Sequence, residues 1–265
     1  MKTRIISAAV FLAACCVSVG IINNRSILQD NEVSKGKDLA SLPKEKIEEE
    51  EEKPCVFMTV MGEQPSEGFA AAKRDAKIDD KIMQGELWLI KAQNKDGGWG
   101  AGSHARQNVM DPHAVSSDPA TTAMTAMALY RCGYNLESGK YSDVLKKSLN
   151  YLLAEIEKTK NNPNFITEVR GTQIQSKLGE NIDAVLTLQF LNQVYPMLKD
   201  ASLKTKVKEA IQICVNKIEK SYDETGKVKG AGWAGVLQSS FASSSLETAA
   251  KNKDIKVNKE KLQKA

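Results

Sequence analysis

From about residue 66 onward, apolar and polar positions recur with a helical period, and two kinds of helix alternate. Between Ile78 and Ala92, residues Ile78, Ile82, Met83, Leu87, Leu89 and Ile90 cover a wide apolar arc. Such an arc predicts a helix with one buried side. Ala120 to Arg131 is instead small or apolar nearly all round and ends at Cys132-Gly133, which predicts burial on several sides. The contrast then repeats. Val144, Leu145, Leu149, Leu152, Leu153 and Ile156 share one side of a helix whose other side carries Lys146, Lys147, Asn150, Glu157 and Lys158. Ile182 to Tyr195 is apolar on nearly every side and stops at Pro196. In a third pair, Leu203, Val207, Ile211, Cys214, Val215 and Ile218 form an outer stripe, and Val236 to Ala250 is the inner helix. Inner helices thus start roughly 55–60 residues apart. That is the spacing of a two-helix repeat whose open apolar face is covered by its neighbour.

The turns carry the second signal. Gln93-Asn94-Lys95-Asp96-Gly97-Gly98-Trp99-Gly100 follows the first outer helix, and a polar loop leads to Asp118-Pro119-Ala120-Thr121-Thr122. Asp118 is a good N-cap and Pro119 a good first helical residue, while Gly97 and Gly98 permit a tight turn. In this order the residues resemble the glutamine–tryptophan repeat of the squalene cyclase and prenyltransferase superfamily. The resemblance implies an α/α toroid, with the Trp99 indole packed under helix ends and the Gln93 side chain bonded to exposed backbone groups. It is strongest in the first repeat. The third turn, Gly226 to Gly235, contains Trp233 but no Gln at the matching offset, and the second, around Asn161 to Asn164, has neither Trp nor Gly. The expected fold is all-α: an α/α toroid-like array of about three helical hairpins, a partial α/α toroid. Closed toroids of this superfamily use more hairpins, so the chain is expected to be a partial toroid, to have lost its second half, or to pair with another chain. Lys261 to Ala265 reads as an interrupted further repeat.

Ahead of this domain the composition changes. Lys2 and Arg4 precede an apolar run from Ile5 to Ile22, the pattern of an export segment. Within it Leu12-Ala13-Ala14-Cys15 resembles the lipobox of bacterial lipoproteins, which would make Cys15 the lipidated residue. The run also suits an uncleaved signal anchor or a secretion signal. All three readings export the chain to the periplasm or cell surface, and the first two attach it to the membrane through a lipid or an N-terminal helix. Residues 23–65 read as an acidic tether, with Glu48 to Glu52 as its densest run, followed by a short apolar arm from Cys55 to Met61. A charge run of that kind repels itself and extends. Cys15 and Cys16 belong to the export segment, which leaves Cys55, Cys132 and Cys214. Cys132 and Cys214 are expected as buried thiols, and one disulfide involving Cys55 is the alternative.

The net charge of +4 is small and dispersed. No basic cluster alternates with aromatics, so nucleic acid is not an expected partner. Both histidines, His104 and His113, lie in the loop from Gly100 to Pro119, together with Asp111 and Asp118. Imidazole and carboxylate donors in that pattern form a candidate divalent-metal site; as a polar loop capped by Asp118 the same residues need no cofactor. A second polar group, Glu168, Arg170, Gln173, Glu180, Asn181 and Asp183, surrounds the entry to the second inner helix. Glu168, Arg170 and Asp183 there suit acid–base work or an acidic sugar, or capping and surface pairing.

The catalytic signatures that the resemblance would imply are missing. The acid motif of the terpene cyclases has its nearest counterpart in Ile78-Asp79-Asp80-Lys81, which lacks the first Asp and lies on an outer helix. With no His after His113, the zinc site of the protein prenyltransferases has no third ligand. Aromatic residues make up 6% of the chain, too few to line a carbocation cavity. Asp118-Pro119-Ala120-Thr121-Thr122 also resembles a helix start of toroidal polysaccharide lyases, for which Arg106 and Arg170 are candidate bases. The sequence therefore points to a non-catalytic module that binds a protein, a small apolar ligand or a second copy through an open repeat edge. A lyase-like or cyclase-like enzyme is the alternative.

Overall fold

Three of the helices start where a side chain satisfies exposed N–H groups of the first turn. Asp118, Thr172 and Asp200 each accept from the backbone N–H three residues on, at Thr121, Gln175 and Leu203. The structure, a computed structural model, describes residues 76–106, 108–230 and 232–264. The export segment at 1–22, the tether and arm at 23–65, Cys15 and Cys55 lie outside the described residues, as does the part of the helical domain before Ala76.

Among the described residues there are eight α-helices and no strand, so the fold is all-α. They are α1 (Ala76–Lys91), α2 (Pro119–Arg131), α3 (Ser142–Lys158), α4 (Gln173–Leu178), α5 (Ile182–Val194), α6 (Ala201–Ser221), α7 (Gly235–Ala250) and α8 (Lys259–Lys264). Single 3-10 turns occur at Pro112–Ala114 and Tyr195–Met197. Each predicted outer or inner helix is present near its expected bounds. The short α4 was not predicted. Its Thr172–Gln175 capping box is complete, with the Thr172 side chain on the Gln175 N–H and the Gln175 side chain on the Thr172 N–H.

Helix α5 is central because it is apolar on every side. Ile182, Val185, Leu186, Leu188, Phe190, Leu191 and Val194 are all buried, and α5 packs against α2, α7, α6 and α4. At about 1.5–3 kcal/mol per fully buried aliphatic or Phe side chain, this helix alone supplies a large part of the core. The row α2–α5–α7 is backed by α3 and α6, whose stripes bury Leu145, Leu149, Leu152 and Ile156, and Val207, Ile211, Cys214, Val215 and Ile218.

Several expectations need correction. The closest outer–inner neighbours are α2 with α3 and α5 with α6, so an inner helix packs on the outer helix that follows it in sequence. The connections inside those pairs, Cys132–Tyr141 and Tyr195–Asp200, are the short ones, and short links favour close packing. Helix α7 is not apolar all round: it buries Gln238, Phe241, Ala242, Ser245, Leu246 and Ala249, and Val236 is 82% exposed. In α1, Ile78, Ile82 and Met83 are exposed rather than buried, because no described element backs its first two turns. Cys132 is exposed at the end of α2, where Gly133 turns the chain at φ 93°, whereas Cys214 is buried as expected.

One buried cation fixes the loop between α3 and α4. The Lys217 amine on α6 donates to the carbonyls of Thr159 and Phe165, each at 2.7 Å. Burial holds this amine below the usual lysine range. Replacing Lys217 with Met leaves both carbonyls without their donor. The expected loss is about 1–3 kcal/mol, read from the urea midpoint. A loss below about 0.5 kcal/mol would show that water replaces the amine.

Candidate functional site

The turn after α1 is built around two side chains. The Gln93 amide donates to the carbonyls of Gly97 and Val144, each at 2.9 Å, which closes the turn on itself and ties it to α3. The Trp99 indole is 4% exposed, and its N–H donates to the Leu89 carbonyl of α1 at 2.8 Å. The Trp99 backbone N–H donates to the Thr122 hydroxyl on α2 at 3.0 Å. One turn therefore joins three helices. Gly100 must be glycine, since a Cβ there would sit 1.9 Å from the Ser116 carbonyl oxygen.

The turn in turn fixes the loop that follows. The Asn94 side chain donates to the Val115 carbonyl and the Ser117 hydroxyl, and Asp96 accepts from the Ser117 hydroxyl and the Gly98 N–H. Two open hollows result, sharing the wall Ala114, Val115, Ser116 and Val169. The smaller, about 340 Å³, is lined by Gly102, Ser103, Arg106, Arg170, Gly171 and Thr172. The larger, about 950 Å³, adjoins Asn94, Asp96, His113, Tyr151, Glu155 and Lys158. Both lie in the size range of ligand sites.

Two buried carboxylates are bonded to the segments that flank the smaller hollow. Asp118 accepts from Thr121 N–H at 2.7 Å, from the Thr121 hydroxyl at 2.9 Å and from Ala101 N–H at 3.1 Å. Asp183 accepts from Ala120 N–H at 3.2 Å and from the Gln175 amide at 2.7 Å, and Gln175 also donates to the Val169 carbonyl. Burial raises the Asp118 carboxyl above the usual range, against the pull of its hydrogen bonds. Burial first, and then the Asp118 charge, push Asp183 up to about 7.

The sequence-predicted candidates separate accordingly. Gln93, Asp96, Gly97, Gly98, Trp99, Asp118 and Pro119 assemble as one structural unit, whereas Trp233 does not repeat it: its side chain is 76% exposed. The third turn has no glutamine to close it, and its Gly232 packs against the Lys177 carbonyl and Gly179 instead. The candidate metal residues are dispersed. Asp111 caps the 3-10 turn through His113 N–H, the His113 ring meets Asn94, and His104 N–H donates to the Gly171 carbonyl. Both Asp118 oxygens are committed to the α2 cap and Ala101. Among the described residues no group of three or more His, Cys, Asp or Glu could hold a metal ion. Of the second polar group, Asp183 is buried and Arg170 lies in its field, while Glu168 is exposed. The Arg170 guanidinium donates to the carbonyls of Thr167 and Glu180 and lies over the Phe165 ring. Sequence reasoning missed Gln175 and Asn94, the two amides that bridge the walls. The Thr172-x-x-Gln175 capping box was the available signal for the first.

No family model, no curated protein and no solved structure matches the chain. Among the described residues no helix is long and apolar enough to cross a membrane.

Because Trp99 links α1, α2 and the loop, its truncation tests the whole site. Trp99→Ala is expected to lower stability by about 3–5 kcal/mol. Trp99→Phe keeps most of the buried area but loses the bond to Leu89, so about 1 kcal/mol is expected. Equal losses in the two variants would show that the indole N–H contributes and the packing does not.

Proposed function

We propose that the chain is an exported, membrane-tethered helical repeat module of the α/α-toroid type that binds a partner without transforming it. The observation carrying this reading is how the polar groups around the hollows are used. Asn94, Gln175, Asp118, Asp183 and Arg170 all hold backbone groups, so they shape a surface and are not poised for reaction. Two apolar patches add places for a protein partner, an apolar ligand or a second copy. One is Ile78, Ile82 and Met83 on α1; the other is Trp233, Val236 and Leu237 at the start of α7. Exposed clusters of this kind are characteristic of interaction surfaces. Export and tethering rest on Lys2, Arg4, the apolar run and the Leu12–Cys15 sequence.

The alternative is a toroidal enzyme of the polysaccharide lyase or terpene cyclase type. What favours it is that Arg106 and Arg170 line one hollow together.

Native mass spectrometry of the detergent-extracted chain separates the two. A binding module is expected as an oligomer or with a retained apolar ligand, whereas a bound oligosaccharide would favour the enzyme. Cys15→Ser is expected to remove a diacylglyceryl mass and release the protein from membranes. Unchanged mass and retention would replace the lipid anchor with a helical one.

A further inference from the structure

Tyr151 on α3 lines the larger hollow and is 8% exposed, yet among the described residues its hydroxyl has no hydrogen-bond partner. A buried phenol is normally satisfied from within the chain. This one is not sealed in the core, so it opens on the hollow. Two acceptors in the same lining are also unspent. Asp96 accepts from the Gly98 N–H at 2.9 Å and from the Ser117 hydroxyl at 2.8 Å, both through Oδ1, which leaves Oδ2 uncommitted. Asn94 spends its amide nitrogen on Val115 and Ser117, so its oxygen accepts from His113 Nδ1–H at 3.1 Å. In that tautomer of the neutral ring, Nε2 is an acceptor. Glu155 is filled by contrast, by the Lys158 amine at 2.6 Å and the Thr167 hydroxyl at 3.0 Å.

The charge balance points the same way in a chain that is basic overall. Burial first, and then the charges of Glu155, Asp118, Asp96 and Asp183, hold the Tyr151 phenol above its usual range. The Glu155 hydrogen bond and charge, and then Asp96, hold the Lys158 amine above the usual lysine range, so a cation already gains from this field. Lys95 and Lys158 are the opposing charges in the lining. Both are exposed, and water screens such groups more than buried ones. Ala114, Val115, Ala154 and Val169 add an apolar wall that suits an aliphatic stem.

We propose that the larger hollow binds a primary ammonium group on an aliphatic stem, as in a small alkyl amine or the lysine side chain of a partner. The ammonium N–H groups donate to Asp96 Oδ2, His113 Nε2 and the Tyr151 oxygen, and the stem lies against Val115 and Val169. An anion of the same size meets the carboxylate field, and an alcohol offers one donor to three acceptors. The inference rests on the binding reading above and names the ligand chemistry of one of its surfaces.

The full chain in non-ionic detergent, labelled at its alanine and valine methyl groups, is titrated with n-butylammonium and, as controls, with n-butanol and butyrate. Saturable NMR shifts of Val115, Ala154 and Val169 are expected with butylammonium alone. Tyr151→Phe removes a hydroxyl that bonds nothing in the chain, so the fold is kept and butylammonium is expected to bind about three- to tenfold more weakly. Asp96→Asn keeps an oxygen for Gly98 and Ser117 but loses the charge, and a loss of about tenfold or more is expected. If that variant loosens the turn, Tyr151→Phe carries the test. Lys95→Gln removes a like charge and is expected to tighten binding. Nα-acetyl-lysinamide separates the sources: binding tighter than butylammonium assigns the cation to a partner protein, and equal or weaker binding assigns it to a free amine. An equal response to butanol or butyrate, or an affinity unchanged in either Tyr151→Phe or folded Asp96→Asn, would overturn the proposal. Such a failure leaves the patches on α1 and α7 to the binding reading, which only turnover of the amine would overturn.

Discussion

The structure depends on one constraint: the chain must pass from α1 to α2 through a turn that closes only two backbone hydrogen bonds of its own, Asn94 N–H to the Gly98 carbonyl and Gly97 N–H to the Asn94 carbonyl. A buried turn leaves backbone groups that water cannot reach, and each such group left alone costs free energy comparable to a lost hydrogen bond. Gln93 and Trp99 meet that demand from inside the turn. The amide of one takes carbonyls from the turn and from α3, and the indole of the other takes a carbonyl from α1. Because the two side chains reach α3 and α1 and the Trp99 backbone N–H reaches α2, one local conformation ties all three helices together.

The hollows are a consequence of the same constraint one step further out. With the turn fixed, Asn94 and Asp96 hold Val115 and Ser117, and the loop before α2 becomes a wall with little freedom. The opposite wall is set by α4, whose capping box positions Gln175 between the Val169 carbonyl and Asp183. Carboxylates and amides here act as joints between backbone segments. Their burial makes the joints strong, since a hydrogen bond gains strength where water is excluded. Burial also leaves Asp183 without an ion pair among the described residues, and Arg170 acts on it only through its charge.

Helices α1 and α7 are covered less completely than α5. Helix α5 has neighbours on every side and buries nearly its whole surface, whereas α1 and the start of α7 leave Ile78, Ile82, Val236 and Leu237 in solvent. A helix with neighbours on every side loses its apolar surface to the core, whereas one covered on a single side keeps part of it in water. Stability is therefore concentrated around α5, and the exposed apolar surface lies on α1 and the start of α7.

By itself the sequence determined the six longer helices, their order and the Asp118 cap of α2. Apolar spacing separates one-sided helices such as α3 from the all-round apolar α5, and Asp118-Pro119 marks a helix start because capping is a local interaction between residues close in sequence. The turn from Gln93 to Trp99 was legible from its residue order, and part of its bonding is local, as in Gln93 to Gly97 and Gly98 N–H to Asp96, whereas its bonds to Val144, Ser117 and Thr122 are not. What only the tertiary structure decided involves partners far apart in the chain. That Asp183 meets the first turn of α2, that Lys217 holds the carbonyls of Thr159 and Phe165, and that Trp233 fails to repeat Trp99 cannot be read from local spacing. The dispersal of His104, Asp111, His113 and Asp118 is of this kind as well, since an irregular loop has no period that fixes where its side chains fall. Local geometry specifies elements, whereas the path of the intervening loops specifies which buried polar groups must satisfy one another.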